Sequence, residues 1–179
     1  MHARYAGSMT GARTILVVGQ RFSGKSRFIE NLLPKMRDSG LRLTGFLQRG
    51  VFDEAGNKVG YDLVSVENGS TTPLARRSAP EGPWEFREEA FEKAAGLVRE
   101  GADVCILDEI GPLELSGGGH ADTMRQAFAT SATVIIIVRE ELEKQIVELL
   151  PDTRDVHIIN FLPENEAELS GQILSLLLA

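Results

Sequence analysis

The run Gly19-Gln20-Arg21-Phe22-Ser23-Gly24-Lys25-Ser26 meets every fixed position of the phosphate-binding pattern G-x-x-x-x-G-K-[ST], and its flanks decide how the chain around it folds. Ahead of it, Thr14-Ile15-Leu16-Val17-Val18 is an apolar run of the length of a buried strand. Behind it, Ser26 to Asp38 places Phe28, Ile29, Leu32, Leu33 and Met36 on one face of a helix. Strand, glycine turn and helix in that order turn backbone N–H groups and a helix N-terminus toward one anion. Gly19, Gln20, Arg21, Phe22, Ser23, Gly24, Lys25, Ser26 and Arg27 are therefore expected to cradle the phosphates of a nucleotide. Lys25 reaches the outer phosphates and the Ser26 hydroxyl ligates the metal.

The rest of the chain alternates strands and helices. Leu41 to Gln48 reads as a strand, and Asp53 to Asn57 is a turn. Lys58–Glu67 and Ser70–Leu74 read as an antiparallel ribbon, with Asn68-Gly69 as a two-residue hairpin. Glu88 to Glu100 is an amphipathic helix, Asp103 to Leu107 a strand, and Ala121 to Thr130 a helix. The β-branched run Val134–Val138 has the pattern of a strand covered on both faces. A helix over Glu140–Leu150, a strand over Val156–Ile159 and a last helix from near Pro163 follow. The pattern predicts an α/β fold: a mostly parallel sheet with helices on both faces, interrupted by a β-hairpin insertion over about residues 51–75. Residues 13–179 form a single domain, and residues 1–12 a flexible N-terminus in which Gly7-Ser8-Met9 reads as a tag remnant or a loose end.

A length of 179 residues suits one domain with a sizeable core. A net charge of −7 with no basic cluster argues against a nucleic-acid partner. No apolar segment is long enough to span a bilayer, and no signal core begins the chain, so a cytoplasmic protein is expected. The single cysteine, Cys105, reads as a small buried core residue.

Cys105-Ile106-Leu107-Asp108-Glu109 is an apolar strand that ends in two carboxylates. Ligands of open α/β sheets bind beyond the carboxyl ends of the strands, so this pair emerges on the rim that carries the glycine loop. Asp108 is placed to hold Mg²⁺. Glu109, on the other side of the strand end, is placed to accept a proton from an attacking water.

From here the chain resembles a known family. Asp108-Glu109-Ile110-Gly111-Pro112-Leu113-Glu114-Leu115 is similar to the D-E-I-G-x-[ML]-E-L signature of the small P-loop nucleoside-triphosphatases of thermophilic microbes and animals. Gly60-Tyr61-Asp62-Leu63-Val64, Pro73-Leu74-Ala75-Arg76, Ala90-Phe91-Glu92 and Glu164-Asn165 resemble further elements of that family in the same order. The resemblance implies a RecA/AAA-like P-loop NTPase three-layer sandwich. It implies Mg²⁺-dependent hydrolysis of NTP, with several bases tolerated, and Glu109 as the water-activating residue. Arg21-Phe22 stands where the family pattern has Pro-Gly, and Glu166 where it has Arg. Ser116 to His120 replaces a Phe-Ser-containing segment and is expected to be loose.

Phosphoryl transfer calls for positive charge at the departing phosphate. Arg76, after the hairpin, and Arg139, directly after the Val134–Val138 strand, are the catalytic candidates, with Arg49 and Arg21 as alternatives. His120 and His157 lack ligand-spaced partners and read as non-ligands. Asn57-Lys58-Val59-Gly60 lacks the aspartate of the guanine-reading N-K-x-D pattern. Three uses of the site stay open at this point: an NTPase, a nucleotide or small-molecule kinase, and an NTP-dependent switch or assembly factor that works with a protein partner.

Overall fold

Alternation along the strands sets the layers. In the computed structural model, which describes residues 12–79, 81–152 and 154–179, the chain runs β1 (Arg13–Gly19), α1 (Lys25–Asp38), β2 (Leu43–Phe52), β3 (Lys58–Ser65), β4 (Thr71–Arg76), β5 (Glu85–Phe86), α2 (Glu88–Ala95), β6 (Val104–Leu107), α3 (Pro112–Leu115), α4 (Ala121–Thr130), β7 (Thr133–Arg139), α5 (Glu143–Leu149), β8 (Asp155–Asn160) and α6 (Glu166–Leu178). All strands join one 8-stranded sheet in the order β5-β4-β3-β2-β6-β7-β1-β8. From β2 to β8 along that order neighbours are parallel, while β3, β4 and β5 continue the sheet antiparallel. The expected N-terminal flexible segment, residues 1–12, lies outside the described residues apart from Ala12.

Ile15 and Val17 of β1, Val104 and Ile106 of β6, and Ile135 and Ile137 of β7 face the core shared with Phe28, Ile29 and Met36 of α1 and Ile173 of α6. Leu16, Val18, Cys105, Leu107, Val134 and Ile136 face the opposite core, closed by Ala90, Met124, Phe128 and Ile146. Both faces being covered explains why these strands are continuous apolar runs. Cys105 is fully buried among them, as its surroundings in the sequence predict, and burial pushes its thiol up to about 12. At the opposite end of the sheet from the glycine loop, buried Arg154 donates to the carbonyls of Arg13, Phe128, Ser131 and Ala132 and to Thr14 Oγ1.

Three local expectations need correction. β2 runs on to Phe52, so the ribbon grows directly out of the parallel sheet. The Asn68-Gly69 turn sits in a five-residue connection, Val66 to Ser70, because Val66 is drawn inward and its N–H donates to the Gly45 carbonyl at 3.1 Å. The helix expected over Glu88–Glu100 stops at Ala95, because the Leu97 carbonyl accepts from Gly45 N at 2.8 Å and from Thr44 Oγ1 at 2.6 Å.

Candidate active site

The glycine loop leaves β1 at Gly19 and enters α1 at Lys25 through Gly24, whose φ of 101° suits glycine alone. Phe22 has φ 63°, at the position where the related family carries glycine, and the residue is 75% exposed. Lys25 folds back over the loop: its Nζ donates to Gly19 O at 2.9 Å and Gln20 O at 2.6 Å. Burial lowers its pKa, with Glu109 and then Asp108 opposing. The amides at the start of α1 have no partner within the helix, which leaves them for an anion.

Strand parity carries Asp108 to the α1 side of the sheet, where Ser26 Oγ donates to its Oδ1 at 3.0 Å. Its Oδ2 accepts from Gln48 N at 2.9 Å, a contact that β2 supplies from beside β6. Asp108 is fully buried, and burial pushes its pKa up to about 7 against those two hydrogen bonds.

Glu109 turns the other way, with φ 56°, a left-handed conformation that costs a non-glycine residue on the order of 1–2 kcal/mol. Arg139 meets it there. β7 ends opposite Gly19 of β1, and from that end Arg139 donates Nη2 and Nε to Glu109 Oε2 at 3.1 and 3.3 Å. Loop, Gln48, Glu109 and Arg139 line one cleft of about 730 Å³.

Arg76, the other arginine candidate, is not brought to this cleft. It pairs with Asp62 at 2.5 Å and donates to the carbonyls of Tyr61 and Ala75, bracing the ribbon. Arg49 lines the cleft and pairs with Glu30 at 2.6 Å, while Arg21 lies over the Phe22 ring and Arg27 lines the α1 end. Lys58 and Tyr61 are additions from the structure. Lys58 Nζ sits 4.5 Å from the Phe22 centroid, 5.0 Å from Tyr61 and 5.6 Å from Phe52, so a cation held by rings roofs the loop. Only the register of the ribbon brings it there, and no local pattern announces that.

Glu114 is a further addition. Its buried carboxylate accepts from Gly111 N and His120 N, each at 2.8 Å, which caps α3 and ties its start to the His120 end of the segment expected to be loose. The spacing of Gly111 and Glu114 around Pro112 is a helix-start signal that points to this role. His157 pairs with Asp155 at the surface, and among the described residues no group of three or more His, Cys, Asp or Glu side chains is placed to hold a metal.

A left-handed glycine turn at the end of β1, with a serine beneath it bonded to the carboxylate that ends β6, puts the molecule in the P-loop class of α/β enzymes. Comparison narrows the class: the family model described as NTPase matches residues 14–174, and the chain belongs to that family. It is similar to the cancer-related nucleoside-triphosphatase of Homo sapiens, with 29% identity over 92% of this chain and 96% of the human protein. It is 33% identical to the nucleoside-triphosphatase THEP1 of Methanopyrus kandleri over 68% of this chain and 71% of that protein. The crystal structure of THEP1 from Aquifex aeolicus matches with a TM-score of 0.67 at 23% identity, over 92% of this chain and 98% of that one, a likeness of fold.

Proposed function

We propose that the chain is a Mg²⁺-dependent nucleoside-triphosphatase that hydrolyses NTP, ATP and GTP among them, to NDP and phosphate in the cleft between the glycine loop and β6. The observation that carries this reading is the split at the end of β6: Asp108 bonds Ser26 on one side, and Glu109 faces the open cleft on the other. The Ser26 hydroxyl and the Asp108 carboxylate are oxygen donors suited to a hard cation that keeps much of its water and takes phosphate oxygens as well. When bound, Mg²⁺ neutralises charge on the outer phosphates.

The chain's own residues do the remainder. Lys25 exchanges its two carbonyl partners for phosphate oxygens, and the loop amides hold the phosphate chain. Glu109 accepts the proton of a water whose oxygen bonds to the γ-phosphorus as the bond to the NDP oxygen breaks. Such a base contributes roughly 10²–10⁴-fold. Arg139 orients Glu109 and faces the charge that develops on the phosphoryl oxygens. A cytoplasmic place of action belongs to the same reading, and no helix among the described residues is long and apolar enough to cross a membrane.

The test is phosphate release from a panel of nucleoside triphosphates, with and without Mg²⁺ and with no acceptor added. Turnover that needs Mg²⁺ and no acceptor is expected. Turnover that appears only when a nucleoside or nucleotide acceptor is supplied overturns the hydrolase reading.

A further inference from the structure

Past Glu109, on the side away from Asp108, a second cavity of about 260 Å³ opens off the cleft. Tyr61, Trp84, Phe86 and Phe91 wall it, and the buried His120 closes it. Gln48, Glu109 and Arg139 line both cavities, so the two meet at the proposed catalytic base.

Packing accounts for part of this. Tyr61 and Trp84 lie 4.9 Å apart, Phe91 stands edge-on to His120 at 4.8 Å, and Arg77 covers the Trp84 ring at 4.5 Å. Packing leaves two features without a cause. One is the hollow itself, since interiors of rings and aliphatic groups normally close up. The other is His120, whose Nδ1 and Nε2 are both buried without a hydrogen-bond partner. Buried polar atoms are bonded in the great majority of cases, and a neutral imidazole has one donor and one acceptor to satisfy. Burial also holds this ring in the neutral form, with its pKa lowered to about 4. Flat walls and a neutral donor–acceptor edge together select a small flat ring that carries donors and acceptors of its own. The volume lies just under the usual range for small-molecule pockets, about 300–1,000 Å³, which fits a ring system better than a larger ligand.

We propose that this cavity is a second binding site, for an uncharged heteroaromatic ring of the nucleobase type, with His120 reading its edge. The site rests on the reading of the neighbouring cleft as the nucleotide site only in one consequence. An occupant lies against Glu109 where water approaches, and so lowers phosphate release without displacing the bound nucleotide.

Trp84 is the single tryptophan of the chain and lines the cavity, so its emission reports occupancy. Adenosine, guanosine, cytidine and uridine are titrated into the full chain with its cleft already filled by Mg²⁺ and a non-hydrolysable triphosphate. A saturable change with at least one nucleoside is expected. Phe86→Ala, at a half-exposed wall, weakens that binding by roughly tenfold and leaves triphosphate affinity unchanged. His120→Leu weakens it too. Lys25→Ala removes triphosphate binding and keeps the Trp84 response, which separates a failure of this site from a failure of the cleft. No response to any of the four nucleosides in protein that binds the triphosphate overturns the proposal. So does a response left unchanged in both Phe86→Ala and His120→Leu.

Discussion

Arg139 Nη2 lies 3.1 Å from Glu109 Oε2, joining the end of β7 to the residue just past β6, with about a quarter of each side chain open to the cleft. The pair fixes the carboxylate at the mouth of the phosphate site and supplies a cation beside it. Its two members are expected to fail differently. Glu109→Gln keeps Mg-nucleotide affinity and slows hydrolysis at least roughly tenfold, because the amide cannot take the proton. Arg139→Ala slows the chemical step by about 10²-fold or more, with nucleotide affinity changed only a few-fold. Arg139→Lys restores little, since a lysine cannot supply both the Nε and Nη2 donors. Single-turnover rates beside fluorescent-nucleotide affinities check each statement. Unchanged turnover in Arg139→Ala would leave that residue a brace for the strand ends.

Phe22 adopts a left-handed backbone with its ring in solvent, so it carries a conformational cost with little burial in return. Glycine stands at this place in the related family's pattern. Phe22→Gly is therefore expected to raise stability by about 1 kcal/mol, net of the entropy that glycine loses on folding. The denaturant midpoint of the nucleotide-free protein measures it. A fall instead shows that the contact between Lys58 and the Phe22 ring, at 4.5 Å, outweighs the backbone strain.

Gly45 explains most of what was not legible in the sequence. Its N–H takes the Leu97 carbonyl, which ends α2 early, and its carbonyl takes the Val66 N–H, which widens the Asn68-Gly69 turn. Both are demands of tertiary structure on segments whose local patterns predict something else. By contrast Lys25, Ser26, Asp108 and Glu109 were legible, because strand ends and a glycine turn are local features with fixed exits on a parallel sheet. Lys58 and Tyr61 were not, because ribbon register alone delivers them, and neither was Gln48, which the pairing of β2 beside β6 brings to Asp108. Gly45 has φ 95°, and a Cβ there would lie 2.0 Å from the Ile106 carbonyl oxygen of the neighbouring strand. Gly45→Ala is thus expected to cost at least about 3 kcal/mol, combining backbone strain with a backbone clash that no rotamer relieves. Chemical denaturation checks this, and a loss under about 1 kcal/mol would mean that β2 moves off β6 easily.

His120 gives stability a dependence on acid that can be isolated. Its ring is buried between Phe46 at 4.5 Å and Phe91 at 4.8 Å, and desolvation lowers its pKa from 6.5 to about 4. The unfolded chain therefore binds a proton at this histidine before the folded chain does. Above about pH 6.5 the group contributes its full stability; as pH falls toward 4 that contribution is lost, to a total of about 3 kcal/mol. Glu114, whose Oε1 accepts from the His120 backbone N–H, has its pKa raised by burial and so acts in the opposite direction. Because Glu114 is common to both proteins, the difference in unfolding free energy between the natural chain and His120→Leu cancels its share to first order. That difference is expected to shift in favour of His120→Leu by up to about 3 kcal/mol between pH 7 and pH 4. A difference that stays flat across this range would show that the folded protein accepts the proton on His120 as readily as the unfolded chain does.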